Sequence, residues 1–248
     1  MRSTSWLTAQ PIAHRGMHAR SHGIIENSLE AAQAAIARGF AIECDVQRAA
    51  CGTAMVFHDF TLDRLTGREG EVSAKSAAEL RAMRLGGSEA IIPTLAQFLD
   101  VIAAQMPLFI EIKSRFDGAA PLVAAVAKAL QNYQGPVALM SFDPLAARQV
   151  RAHRLRRPVG IVSEVYGDHA EWSSLSAGRK YGLSQIDDAY GSPPDFIAYN
   201  VRHLPSPACT TLTAQLGIPL LTWTVRDEAQ RQIAATHADQ MIFEGFVP

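Results

Sequence analysis

Two short stretches decide the reading of the fold: Ala-Ile-Glu-Cys-Asp-Val at residues 41–46 and Leu-Phe-Ile-Glu-Ile-Lys at residues 108–113. Both are apolar runs of strand length that end in charged side chains, and helical patterns flank each of them. Glu43 and Asp45 lie two residues apart, so on a strand their side chains share one face. Glu111 and Lys113 stand in the same relation. Working outward, similar apolar runs recur at Pro11–His14, Val137–Met140, Val159–Val162, Phe196–Tyr199, Pro219–Val225 and Gln240–Phe243. About eight strands alternating with helices predict an α/β chain folded as a (β/α)8 barrel, the TIM barrel. A further run, Ala54–His58, follows the second strand too closely for a crossover helix. It reads as an antiparallel partner to that strand, turning near Cys51-Gly52.

Helix starts fall between the strands. Asn27 with Glu30, Thr94 with Gln97 and Ser76 with Glu79 have the spacing of capping boxes. Asp143-Pro144 and Ser206-Pro207 pair a cap with proline at the first helical position, and Asp227 caps the last long helix. Residues 60–92 are too long for a simple loop, and the Ser76 signal predicts a small inserted helix there, before Leu80 and Met83. Glu164–Pro194 is a second irregular stretch. With 248 residues and no linker to invite a cut, the expectation is one barrel domain over 1–248 with an insertion after the second strand.

Composition narrows the function. The chain is 48% hydrophobic and 19% charged, which excludes a disordered chain. The formal net charge of −1 argues against a nucleic-acid binder that works mainly by charge. No apolar run approaches the ~20 residues of a bilayer span, so no stable membrane insertion is expected. Met1–Gln10 lacks the apolar core of a secretory signal, and the three cysteines, Cys44, Cys51 and Cys209, show no paired spacing. Reduced thiols and a cytoplasmic location follow as expectations, although a Cys44–Cys51 bond stays open. Oligomeric state is not legible.

Barrel active sites lie at the C-terminal strand ends. There the sequence puts His14-Arg15, Glu43 with Asp45, His58-Asp59, and Glu111 with Lys113. Three carboxylates without a thiol suit one hard divalent cation, Mg²⁺ or Ca²⁺. The same residues would also fit a salt-bridged rim in which Arg15 and Lys113 neutralise the acids. His14 and His58 favour chemistry, because two imidazoles beside an anionic centre suit proton transfer in both directions. Arg15 and Lys113 would then bind an anion, most naturally a phosphate.

The ordered set His14-Arg15-Gly16, Glu26-Asn27-Ser28, Glu43-x-Asp45-Val46, His58-Asp59 and Glu111-Ile112-Lys113 resembles the glycerophosphodiester phosphodiesterase family. Met140-Ser141-Phe142-Asp143 and Thr222-Trp223-Thr224-Val225 match its C-terminal half. The resemblance implies hydrolysis of a small-molecule glycerophosphodiester to glycerol 3-phosphate and an alcohol. It implies Glu43, Asp45 and Glu111 as metal ligands, His14 and His58 as the acid–base pair, and Arg15 and Lys113 as phosphate contacts. Glu26 is expected beside Arg15 or at a helix start, and Trp223 and Phe142 as pocket walls or core. His18 and His22 are expected as solvated loop residues, with contact to substrate as the alternative. The chain departs from the family pattern at Ser28, at Cys44, which should face the helices, and at Phe243-Glu244-Gly245. Alternatives are a related lysophospholipase D or phosphoinositide-type phosphodiesterase, and a non-catalytic barrel that binds a phosphorylated ligand.

Overall fold

The computed structural model describes residues 4–248. Met1–Ser3, part of the stretch read for a targeting signal, lie outside the described residues. The strands are β1 (Ile12–Ala13), β2 (Ala41–Arg48), β3 (Ala54–Val56), β4 (Leu108–Ile112), β5 (Val137–Ser141), β6 (Val159–Ser163), β7 (Phe196–Asn200), β8 (Leu220–Val225) and β9 (Gln240–Phe243). All neighbours pair in parallel except β2 and β3. β1 pairs with both β2 and β9, which closes eight parallel strands into the expected barrel. β3 folds back antiparallel on the upper end of β2, with Val46 opposite Val56, as the hairpin reading requires. Its turn is the expected one: Gly52 N–H donates to Ala49 C=O at 2.9 Å.

Around the barrel lie α1 (Leu29–Ala37), α2 (Asp63–Thr66), α3 (Ala77–Arg81), α4 (Leu95–Ile102), α5 (Ala120–Leu130), α6 (Pro144–Ala152), α7 (Ala177–Ser184), α8 (Pro207–Leu216) and α9 (Glu228–His237). The caps at Ser76, Thr94, Asp143, Ser206 and Asp227 each accept a backbone N–H as read from sequence. One cap is corrected. Ser28, not Asn27, caps α1 by accepting from Ala31 N–H. Asn27 is buried with φ +59° and spends its amide elsewhere, as described below. The 60–92 insertion holds two short helices, α2 and α3, instead of one. It closes over its own apolar cluster, in which Leu62, Leu65, Val72, Leu80, Leu85 and Ile92 pack on Phe57 and Met55.

The period of two along β2 separates two environments. Ile42, Cys44 and Val46 pack outward with the buried stripes of the helices, including Leu95, Phe98 and Val126. Ala41, with Phe109 of β4 and Phe196 of β7, fills the barrel interior. Leu7 is fully buried in that interior cluster and Trp6 packs against it. Glu43 and Asp45 therefore point into the barrel above a close-packed apolar floor. Cys44 is a buried free thiol and Cys51 an exposed free one, so the two are not bonded. Among the described residues, no helix is long and apolar enough to cross a membrane.

Candidate active site

Strand register assembles the site. Asp45 stands opposite Glu111 across the β2–β4 pair. Ala13 pairs with Ile42 on one side and Phe243 on the other, so the next residues up, His14, Glu43 and Glu244, meet at the same level. Glu43, Asp45 and Glu111 each bring a carboxylate oxygen within 4.8 Å of the others, and all three side chains are buried. Three buried acids repel one another, and the electrostatics show it. Burial, then the charges of Asp45 and Glu111, push the Glu43 carboxyl well above the ordinary range. Burial would also raise Asp45, but the positive charges around it, those of Arg15 and Lys113 among them, hold it well below. Such a cluster retains a proton or takes up a cation. Buried oxygen donors without sulfur fit a hard divalent ion.

The cations interleave with the acids. Lys113 Nζ is 2.8 Å from Glu111 and 3.6 Å from Asp45. Arg15 Nε is 3.2 Å from Asp45, and its backbone N–H donates to Glu43 Oε2 at 2.9 Å. That backbone contact needs a sharp turn after β1, with Arg15 at φ +55° and Gly16 at φ +75°. Gly16 is obligatory there, because a Cβ would meet the Ala31 backbone at 2.8 Å. Asn27 Nδ2 donates to Asp45 Oδ2 at 2.9 Å and its Oδ1 accepts from Asp45 N–H at 3.2 Å. The mid-motif asparagine thus locks the acid in place.

Each histidine is oriented by a carboxylate. His14 Nδ1–H donates to Glu244 at 2.6 Å, leaving Nε2 directed 4.0 Å from Glu43. Burial, with the Arg15 charge, drives His14 down to about 4 despite the pull of Glu244. His14 is therefore neutral at physiological pH. His58 Nδ1–H donates to Asp59 at 2.7 Å.

Arg64, from α2 of the insertion, ties the two sides together. Its guanidinium donates to both oxygens of Asp59 and both of Glu26. Glu26 in turn accepts from Arg15 at 2.6 Å. Burial alone would raise Glu26, but the hydrogen bonds from Arg64 and the charges of Arg15 and Arg64 bring it down to about 2. A carboxyl whose folded value lies below its unfolded 4.5 stabilises the fold above pH 4.5 and loses that contribution as pH falls toward 2. We expect on the order of 2 kcal/mol, discounted for the partly exposed Arg64. Urea unfolding at pH 6 and pH 2.5 checks it, since Glu26→Gln should narrow the difference between the two pH values. An identical difference in both proteins removes the assignment.

The expected residues come together as follows. His14, Arg15, Glu43, His58, Glu111, Lys113, Phe142 and Trp223 all line one cavity of about 490 Å³, and Asp45 lies beneath it. Glu26 sits behind Arg15, outside the cavity lining. His18 is not a free loop residue: its Nε2 lies 3.5 Å from Glu244. The His22 ring has a 3.2 Å contact with Ser21 and is exposed. Sequence reasoning missed Glu244 and Arg64. Glu244 had a signal, since it is the first residue beyond its strand, as His14 is beyond β1. Arg64 had none, because it approaches the rim from a four-residue helix.

Fold and rim define a class: a (β/α)8 barrel enzyme whose C-terminal mouth is charged for an anionic substrate. The family model described as the Glycerophosphoryl diester phosphodiesterase family matches residues 14–245. The chain belongs to that family. It is similar to the glycerophosphodiester phosphodiesterase of Caldanaerobacter subterraneus subsp. tengcongensis, with 31% identity over 236 residues, 90% of this chain and 89% of that protein. Among solved structures it resembles an Oleispira antarctica phosphodiesterase in complex with the product sn-glycerol-3-phosphate. That match has a TM-score of 0.75 at 22% identity and covers 95% of this chain and 92% of the other. A structure from Silicibacter pomeroyi DSS-3, described as a glycerophosphoryl diester phosphodiesterase, matches with a TM-score of 0.74 at 23% identity, over 94% and 88% of the two chains.

Proposed function

We propose that this enzyme cleaves glycerophosphodiesters to glycerol 3-phosphate and an alcohol, using one divalent cation, Mg²⁺ or Ca²⁺, and a pair of histidines. The observation that carries the reading is the carboxylate triad set between Arg15 and Lys113 and flanked by two carboxylate-oriented imidazoles. Family membership and the product-bound relative support the substrate class.

Glu43, Asp45 and Glu111 would hold the cation, which when bound offsets their repulsion and draws charge from a phosphate oxygen. Arg15 and Lys113 neutralise the remaining phosphate charge. With Nδ1–H fixed on Glu244, neutral His14 presents Nε2 as the base that takes the proton of the nucleophile. That nucleophile is water, or the neighbouring glycerol hydroxyl, which forms a cyclic phosphate that water then opens to glycerol 3-phosphate. The phosphorus–oxygen bond to the alcohol then breaks, and His58, held by Asp59, gives the leaving alkoxide its proton. The test is release of glycerol 3-phosphate from glycerophosphoethanolamine by the purified enzyme with added Mg²⁺ or Ca²⁺. No release under either ion defeats the proposal.

Arg64 acts through Asp59 and Glu26, as a positioning residue. Arg64→Ala should lower kcat/KM by about 10-fold or more, as loss of groups that orient catalytic side chains commonly does. Arg64→Lys should restore only part, because a single ammonium cannot fork across two carboxylates. Equal activity of the alanine variant and the parent would show that the clamp is only structural.

A further inference from the structure

Beyond the triad, the cavity ends on a wall that the chemistry above does not use. Phe142, at the end of β5, and Trp223, on β8, are half-buried and meet at 84° with ring centroids 5.3 Å apart. Trp172, from the irregular stretch after β6, lies 5.1 Å from Phe142. All three rings line the same cavity. They are fixed in place: Trp223 Nε1–H donates to Ala198 C=O at 3.1 Å, and Trp172 Nε1–H donates to Glu164 at 2.7 Å.

Glu164 stands among these rings. Its second oxygen accepts from Asn200 Nδ2 at 2.7 Å. Both partners are neutral, and among the described residues no basic side chain forms an ion pair with it. The wall carries further charges: Glu171 adds a second carboxylate to the cavity lining, beside Arg202, Arg226, His169 and His203. Arg226 Nε is 2.5 Å from Glu244, His203 Nδ1 accepts from Val165 N–H at 3.0 Å, and Arg202 is exposed. A half-buried carboxylate without a counter-charge, walled by aromatic faces, is an electrostatic well for a cation.

We propose that this wall is the leaving-group subsite and selects glycerophosphodiesters whose alcohol carries an ammonium group. The inference rests on the proposed function. With the phosphate over Arg15 and Lys113, the departing alcohol occupies the part of the cavity away from the triad. An ammonium there faces the rings and the Glu164 carboxylate, where cation–π attraction adds to charge pairing. A neutral alcohol of equal size gains only contact.

The test compares glycerophosphocholine with glycerophosphoglycerol. We expect kcat/KM to favour the choline diester by about tenfold or more. Glu164→Gln and, separately, Phe142→Leu should collapse that ratio toward one, chiefly through KM for the choline diester. Calorimetry with choline and its uncharged isostere 3,3-dimethylbutan-1-ol reads the subsite without turnover, and only choline should bind. Equal kcat/KM for the two diesters, a ratio that survives both substitutions, or equal binding of the isostere overturns the inference. Hydrolysis of neither diester, with choline still bound selectively, would instead overturn the proposed function.

Discussion

His58→Ala and His14→Ala are each expected to lower kcat by about 10²-fold or more while leaving a cooperative unfolding transition. Neither change opens the apolar core. The partners of His14 remain satisfied, because Glu244 keeps Arg226 and His18. Asp59 keeps Arg64 when His58 is gone. The two variants should also differ from each other. If His58 protonates the departing oxygen, a glycerophosphodiester with a p-nitrophenol leaving group should recover most of the loss in His58→Ala, because that alkoxide needs no proton. His14→Ala should stay slow on the same compound, since its missing base acts on the attacking hydroxyl. Recovery by His14→Ala instead would reverse the two roles, and full turnover in either variant would end the acid–base assignment.

Removal of divalent ions is the second large effect. Excess chelator should abolish turnover, and Mg²⁺ or Ca²⁺ should restore it. Activity alone is a weak witness, so stability supplies another. A ligand that binds only the folded chain stabilises it by about 2.7 kcal/mol at one hundred times its dissociation constant. Added cation should therefore raise the unfolding midpoint, and Glu43→Gln should blunt that rise by removing one of the donors. Glu43 is the acid of the cluster that burial and the charges of Asp45 and Glu111 push upward. Undiminished turnover in chelator, with no shift of the midpoint on adding either ion, would leave the triad as an internally salt-bridged rim.

The barrel was legible because its signals are local. Eight apolar runs with helix caps between them require no knowledge of distant contacts, and period-two alternation put Glu43 and Asp45 on the interior face. The hairpin was legible from the short spacing between Val46 and Ala54, which no crossover helix can bridge. What escaped depends on contacts between distant parts of the chain. Asn27 sits at the spacing of a helix cap, yet its amide serves Asp45, and the helix falls to Ser28. Arg64 reads as an ordinary polar residue on an insertion, until the insertion folds over its own apolar cluster and carries it to Asp59 and Glu26. Glu244 replaced a familiar pattern, so its position was noticed and its partner was not.

The shortness of β1 bears on how the molecule is made. His14 and Glu244 are 230 positions apart in the chain and meet only through a two-residue strand that joins β2 to β9. Contacts of such long sequence separation form late, because the loop entropy of joining the ends must be overcome first. During synthesis the imidazole has no Glu244 carboxylate to orient it until β9 has been made and has paired with β1. A chain cut short before β9 would carry Glu43, Asp45 and Glu111 with His14 unoriented.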